Sequence, residues 1–321
     1  MELPSEFDLI ARYFTRPTPH ALLGVGDDAA LICPSPGMNL VVSTDMLVAG
    51  THFLPAADPE ALGWKCLAVN VSDLAAMAAR PRWAVLAVAL PEADERWIAA
   101  FAQGFFACAT TFGIDVIGGD TTRGPMNFCV TIFGEVPPNQ ALLRSGARSG
   151  DEIWVSGIPG RAASGLAHLQ GRCVLTEPAL TDSLEALHRP QPRVALGLAL
   201  RGLATAAIDV SDGLLADLGH ILERSSVAAT IHLENLPRGD LPGCPDLGLA
   251  RECQLAGGDD YELVFTVPED KRAVVASLSA DLNLTLTCIG KIEAGNSPVV
   301  TVLDCEGKSW IPPRHGFDHF A

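Results

Sequence analysis

The chain has 321 residues, 48% of them hydrophobic, and 22 Lys and Arg against 38 Asp and Glu, for a net charge of −16. That length accommodates two domains with substantial cores, and the apolar content excludes a disordered or fibrous chain. The acidity excludes direct binding to a nucleic-acid backbone, which needs clustered Lys and Arg, but admits an anionic small substrate if metal ions intervene.

In chain order, Ser5 to Phe14 reads as a short amphipathic helix, with Ser5 and Asp8 near capping-box spacing. Ala30–Cys33 and Leu40–Thr44 are expected to be strands separated by a Pro/Gly turn. A long helix follows from Pro59 to about Ala79, with Asp58 as its N-cap and Pro59 at the first helical position. Trp83–Leu90 is a strand, Asp94 to about Phe112 a second long helix, and Asp115–Gly118 and Asn127–Val136 are strands. This ββαβαββ-like mixture predicts an α+β domain with helices on one sheet face. The segment 137–150 (PPNQALLRSGARSG) loses periodicity, so an N-terminal domain is expected over 1–138 and a C-terminal one over 149–321. In the second domain, strand–loop–helix units recur: Ile153–Ser156 into Arg161–Leu169, Ala207–Val210 into Leu214–Arg224, and Glu262–Val267 into Pro268–Ser279. Such alternation predicts an α/β architecture.

Nine cysteines show no CxxC pair and lie mostly in apolar runs, as at Cys66, Cys108, Cys129 and Cys288. Reduced thiols in a cytoplasmic protein are expected. Neither a signal peptide nor a membrane span is predicted.

Carboxylates recur among glycines, hydroxyls and short apolar runs: GVGDDAAL (Asp27, Asp28), VVSTDM (Asp45), AVNVSDLAAM (Asp73), VIGGDTTRG (Asp120), AIDVSDGL (Asp209, Asp212) and LAGGDDYEL (Asp259, Asp260). A solvated acidic face would interleave Glu and Lys at helical spacing. Each site alone has a structural reading. GVGDDA is not a dinucleotide fingerprint, which needs a strand before it and a helix after it; alone it reads equally as a turn leading into a strand, and its charge pair favours metal. Asn70 and Asp73, three apart on one helix face, serve equally as a hydrogen-bonded core pair. GGDTTRG reads as a turn whose glycines admit a ligand to the backbone. Asp212 or Ser211 is expected to cap the following helix. The loop SGIPGRAASG could hold phosphate but reads better as tight strand–helix packing. No P-loop and no HRD or DFG set is present. Taken together, six such settings point to a shared site for a hard cation with oxygen ligands, Mg²⁺ rather than zinc or copper.

The motifs GVGDDAAL, VSTDMLVAGTHF, KCLAVNVSDLAAM, IGGDTTRGP, AIDVSDGLLADLGHI, GGDDYELVFTVP and GFDHF closely resemble, in order and over nearly the whole chain, the thiamine-monophosphate kinase family. Its superfamily is similar to aminoimidazole ribonucleotide synthetase. The resemblance implies an N-terminal α+β domain that pairs across a homodimer and a C-terminal α/β domain, with ATP held near the dimer interface. It implies transfer of the ATP γ-phosphoryl group to thiamine monophosphate with several Mg²⁺ ions, the last step to thiamine diphosphate. Carried over by position, Asp28, Ser43, Thr44, Asp45, Asp73, Asp120, Asp209 and Asp212 match metal ligands. Gly119, Asp120, Arg144 and Ser211 match positions around the ATP phosphates, and His52, Asp259 and Phe317 match contacts to thiamine monophosphate. Asp120, Asp45 and Arg144 are then expected to carry the chemistry. Asp259 stands where many relatives have Glu, and Phe317 where others have Tyr or Trp. A cluster this negative is expected to be incompletely ordered until Mg²⁺ and nucleotide arrive.

Two alternatives stand beside this reading. A related synthetase of the superfamily would need a reactive cysteine near the N-terminus or at the C-terminus; the first cysteine here is Cys33 and the chain ends DHFA. A non-catalytic nucleotide or thiamine-phosphate sensor would not need the full set of metal positions.

Overall fold

The computed structural model describes residues 5–237, 246–295, 297–311, 313, 316 and 317, and within them no helix is long and apolar enough to cross a membrane. The chain divides into two compact units: residues 1–74 with 79–139, and residues 75–78 with 140–321.

In the first unit, α1 (Glu6–Leu9) begins with a capping box between Ser5 and Asp8 and continues as one π-helical turn through Phe14. Then follow β1 (Asn39–Val48), α2 (Pro59–Ala76), β2 (Arg80–Leu90), α3 (Glu95–Phe112), β3 (Asp115–Arg123) and β4 (Asn127–Val136). Asp58 Oδ1 accepts the Ala61 N–H at 2.9 Å, as expected of its N-cap, and Asp94 accepts the Arg96 and Trp97 N–H groups, which makes it the N-cap of α3 rather than its first residue. The sheet order is β1-β4-β2-β3, with only β2 and β3 parallel. One face carries the core: Phe128 of β4 stacks on Phe101 of α3 at 4.6 Å, and Trp97 stacks on both. Full burial of each phenylalanine contributes about 3 kcal/mol.

Two sequence expectations change here. Ala30–Cys33 is not a strand; Leu31 makes one isolated bridge, to Leu23, so the order is βαβαββ. GGDTTRG is not a turn either, since β3 runs through it to Arg123. A bulge at Ile117 accommodates the two glycines, because Ala84 pairs with Val116 but Val85 with Gly118.

The second unit contains β5 (Glu152–Ser156), α4 (Arg161–Leu169), α5 (Ala179–His188), α6 (Val194–Ala199), β6 (Ala206–Asp209), α7 (Leu214–Ser225), β7 (Ala228–His232), α8 (Leu247–Ala256), β8 (Leu263–Val267), α9 (Arg272–Asp281), β9 (Leu286–Glu293) and β10 (Val300–Leu303). Its six strands lie in the order β10-β7-β9-β5-β8-β6, antiparallel except for β10 with β7. Alternation along the strands builds two cores. Ile153, Val155, Ile208 and Val264 pack with Leu214, Leu218 and Ile221 of α7. Trp154, Ala207, Leu263 and Phe265 pack with Leu196 of α6 and Val275 of α9. With both faces covered, β5 and β8 are buried along their whole length, which is why they read as continuous apolar runs.

Candidate functional site

In the first unit, one group of candidate residues surrounds a cavity of about 750 Å³ beside the edge strand β3. The N-terminal arm reaches it because His20 is anchored: its N–H donates to Asp115 Oδ2 at 2.5 Å, and its carbonyl accepts the Trp83 indole N–H at 2.9 Å. Leu23 and Leu31 exchange backbone hydrogen bonds, which closes GVGDDA into a loop. Asp27 accepts the N–H of Asp28 at 2.9 Å, so it is engaged by the loop's own backbone, while the exposed Asp28 lines the cavity with Asp120. Gly119 lies opposite Leu86, and a Cβ there would fall 1.9 Å from the Leu86 carbonyl oxygen. Only glycine lets β3 approach so closely. A cavity of this size accommodates a nucleotide.

A second group lies where α2 crosses β1. Ser43 and Asp45 are two apart on the strand, and Asn70 and Asp73 three apart on the helix, so each pair shares a face. The Ser43 hydroxyl donates to the Asp73 carboxylate in a short hydrogen bond. The Asp45 N–H donates to Asn70 Oδ1 at 3.1 Å, and the Asn70 amide donates to the Cys66 carbonyl at 3.1 Å. Asn70 is thus both the core pair the sequence allowed and a brace for Asp45. Thr44 points to the opposite face, where its hydroxyl donates to the Val130 carbonyl at 2.9 Å, so its side chain does not join Ser43 and Asp45. His52 Nδ1 accepts the Val48 N–H at 3.0 Å, which places the proton of the neutral ring on Nε2.

These two groups do not meet within one chain. Asp45 is on β1 and Asp120 on β3, at opposite edges of the sheet. Three strand spacings separate them, about 14 Å. Among the described residues, no three His, Cys, Asp or Glu side chains converge to hold a metal ion.

The second unit brings four candidates together around the turn between β6 and α7. Backbone N–H groups of Ser211, Asp212 and Gly213 all donate to Asp217 Oδ2, at 3.0, 3.0 and 3.1 Å. The carbonyls of Ser211 and Asp212 accept the N–H groups of Asp259 at 2.9 Å and Phe317 at 3.0 Å. Asp209 ends β6, just before this turn. Neither Ser211 nor Asp212 caps α7 with its side chain; Asp217, inside the first turn, instead gathers the N–H groups of the three residues before the helix. Burial and the neighbouring Asp212 charge push the Asp217 carboxyl up to about 7, against the pull of its N–H donors. The N–H groups of this turn are therefore all engaged by the protein's own carboxylate. Asp259 has φ +68°, a left-handed conformation that Asp tolerates better than most residues, and accepts the Tyr261 phenol at 3.1 Å. Of the GFDHF motif, only Gly316 and Phe317 lie within the described residues.

Arg144 is exposed and not joined to this group. Its carbonyl accepts the Ser225 hydroxyl at the C-terminal end of α7, whereas Ser211–Gly213 sits at the N-terminal end. Twelve helical residues span about 18 Å. The glycine-rich loop before α4 is structural: the buried Asp260 accepts the Gly160 N–H at 2.7 Å, where a phosphate would have to sit. Burial raises the Asp260 carboxyl well above the ordinary carboxylate range.

Sequence reasoning missed Asp217, yet a signal existed. It falls on the stripe formed by Leu214, Leu218, Ile221 and Leu222, where an acid on an apolar face needs a buried partner.

The sequence matches the AIR synthase related protein N-terminal domain over residues 26–136 and the AIR synthase related protein C-terminal domain over residues 148–303. It is 46% identical to the thiamine-monophosphate kinase of Salmonella typhimurium over 321 residues, 98% of each chain. The crystal structure of thiamine-monophosphate kinase from Stenotrophomonas maltophilia aligns with TM-score 0.84 at 48% identity, covering 94% of this chain and 95% of that one. AaThiL complexed with AMPPCP and TMP aligns with TM-score 0.76 at 31% identity, covering 90% and 89%.

Proposed function

Because the chain belongs to the AIR synthase related family, and within it to the thiamine-monophosphate kinases, we propose that two copies build each active site from opposite edges of their sheets. The reaction is transfer of the ATP γ-phosphoryl group to thiamine monophosphate, giving thiamine diphosphate and ADP. The observation that carries this reading is likeness over nearly the full chain to a relative complexed with AMPPCP and TMP.

The reaction needs no dedicated base. The acceptor is a phosphate monoester whose second pKa is about 6, so it is largely deprotonated at neutral pH. The barrier lies in bringing two polyanions together in line, which makes positioning and charge the protein's tasks. Asp28 and Asp120 at the cavity, and Ser43, Asp45 and Asp73 at the β1 edge, form an all-oxygen donor set without His or Cys, which fits Mg²⁺. Held by these residues, Mg²⁺ would supply positive charge to offset that of the phosphates. Thr44, and Asp209 and Asp212 at the turn between β6 and α7, are further proposed metal ligands. Gly119 lets a nucleotide phosphate approach β3, while Ser211 offers a hydroxyl and Arg144 a bidentate guanidinium to phosphate from opposite ends of α7. His52 and Asp259 contact thiamine monophosphate, and the exposed Phe317 ring offers a stacking face.

Homodimerisation is supported by the uncovered face of the four-stranded sheet, where Leu40, Val42 and Met46 of β1 are 42%, 56% and 54% exposed. Apolar residues in such a row mark an interface. A second copy laid there also supplies the missing half of each metal-ligand set. A cytoplasmic location is supported by the free thiols of all eight described cysteines.

Incubation of the purified protein with ATP, Mg²⁺ and thiamine monophosphate is expected to yield thiamine diphosphate and ADP in equal amounts. ADP formed only with a different acceptor would refute the assignment, and binding of both substrates without turnover would favour a sensor.

A further inference from the structure

We infer that Asp217 is a positioning residue for this reaction: its buried carboxylate sets the Ser211–Gly213 turn, and through that turn's backbone it places Asp259 and Phe317. The inference rests on the reading above for what those residues contact, but its geometry stands apart from it.

Three consecutive N–H groups converge on one oxygen, Asp217 Oδ2, within 3.0–3.1 Å. Successive N–H groups in such a turn form a concave anion site, here filled by the protein's own carboxylate at the start of a helix. Asp217 is 3% exposed, so water cannot substitute for it. The same turn faces outward through its carbonyls. Val210, Ser211 and Asp212 accept N–H groups from Tyr261, Asp259 and Phe317 at 2.8, 2.9 and 3.0 Å. Two glycines permit this crowding. A Cβ on Gly258 would lie 2.4 Å from the Ser211 carbonyl oxygen, and one on Gly316 would lie 3.0 Å from that of Asp212. Every peptide of the turn is therefore used twice, inward to Asp217 and outward to an acceptor-side residue. With those N–H groups occupied, Ser211 is left to meet a phosphate through its hydroxyl. Movement of the turn would displace the nucleotide contact Ser211, the metal ligand Asp212 and both acceptor contacts together.

An Asn side chain cannot reproduce this arrangement, because its single neutral oxygen is a weaker acceptor for three donors. Asp217→Asn is expected to lower kcat roughly 10–100-fold, the range for lost support behind metal ligands. It should also raise the KM for thiamine monophosphate and the half-saturating Mg²⁺ concentration, each at least about threefold. A merely structural residue would lower the folded fraction and leave these constants unchanged per folded molecule, and that result would overturn the inference. Should the variant not fold, hydrogen exchange in the wild-type protein decides. The amides of Ser211, Asp212 and Gly213 should be protected about 1000-fold without ligand. Rapid exchange there would overturn the inference, whereas wild-type protein that makes no thiamine diphosphate would overturn only the functional reading.

Discussion

With Asp120 replaced by Asn, turnover of ATP and thiamine monophosphate is expected to fall on the order of 1000-fold or more, about 4 kcal/mol of transition-state stabilisation. The fold should not change. Asp120 is exposed at the cavity on the edge strand β3, and its side chain makes no hydrogen bond or ion pair among the described residues. The substitution keeps the side chain's shape and removes only its charge, so unfolding free energy should shift by no more than about 0.5 kcal/mol. Steady-state rates across a Mg²⁺ titration, with a thermal melt alongside, separate the two effects. Near-normal activity at saturating Mg²⁺ would remove Asp120 from the proposed metal set.

Val42→Asp should have an equally large effect by another route. Val42 is the most exposed of the apolar β1 residues on the open sheet face. A carboxylate there would be buried without a partner in the proposed dimer, at a cost of several kcal/mol per copy. Sedimentation is expected to change from a dimer to a monomer with native far-UV circular dichroism. Activity should drop at least about 100-fold, because each site loses the edge that the other copy provides. A fully active monomer would contradict the shared site, and an unchanged mass would move the interface elsewhere.

The sequence carried the residue types of the site but not their grouping. Carboxylates in small-residue settings at Asp28, Asp45, Asp73 and Asp120 are legible because an acid beside an apolar run needs an explanation. That Asp45 and Asp120 fall on opposite edges is not legible, because it follows from the strand order β1-β4-β2-β3. β4 pairs between β1 and β2 although it comes last in the unit, and no local pattern records a pairing of that kind. Asp115–Gly118 was recognisable as a strand from its apolar run, but its continuation through GGDTTR was hidden by adjacent glycines that usually mark a turn. In the second unit, the covered strands β5 and β8 stood out. β7, β9, β10 and the helices α5, α6 and α8 did not. α6 is six residues of Val, Ala, Leu and Gly, too short to display a period, and β7 is a five-residue strand with a weak alternation. The partners of Asp217 and Asp260 were out of reach for a different reason, although the place of Asp217 on an apolar stripe was legible. Each carboxylate is satisfied by backbone N–H groups, which exist at almost every position and leave no mark on residue type.

The central claim, one active site built from two copies, is tested most directly by mixing two inactive variants. Asp45→Asn and Asp120→Asn would be co-expressed with different tags, and the doubly tagged species assayed for thiamine diphosphate beside the unfractionated mixture. If Asp45 of one copy works with Asp120 of the other, each heterodimer holds one doubly substituted site and one intact site. Random pairing makes half the dimers mixed, so the mixture should recover about a quarter of wild-type activity and the isolated heterodimer about half. Activity no higher than that of either variant alone would show that both carboxylates serve within the same chain, and the shared-site account would be wrong.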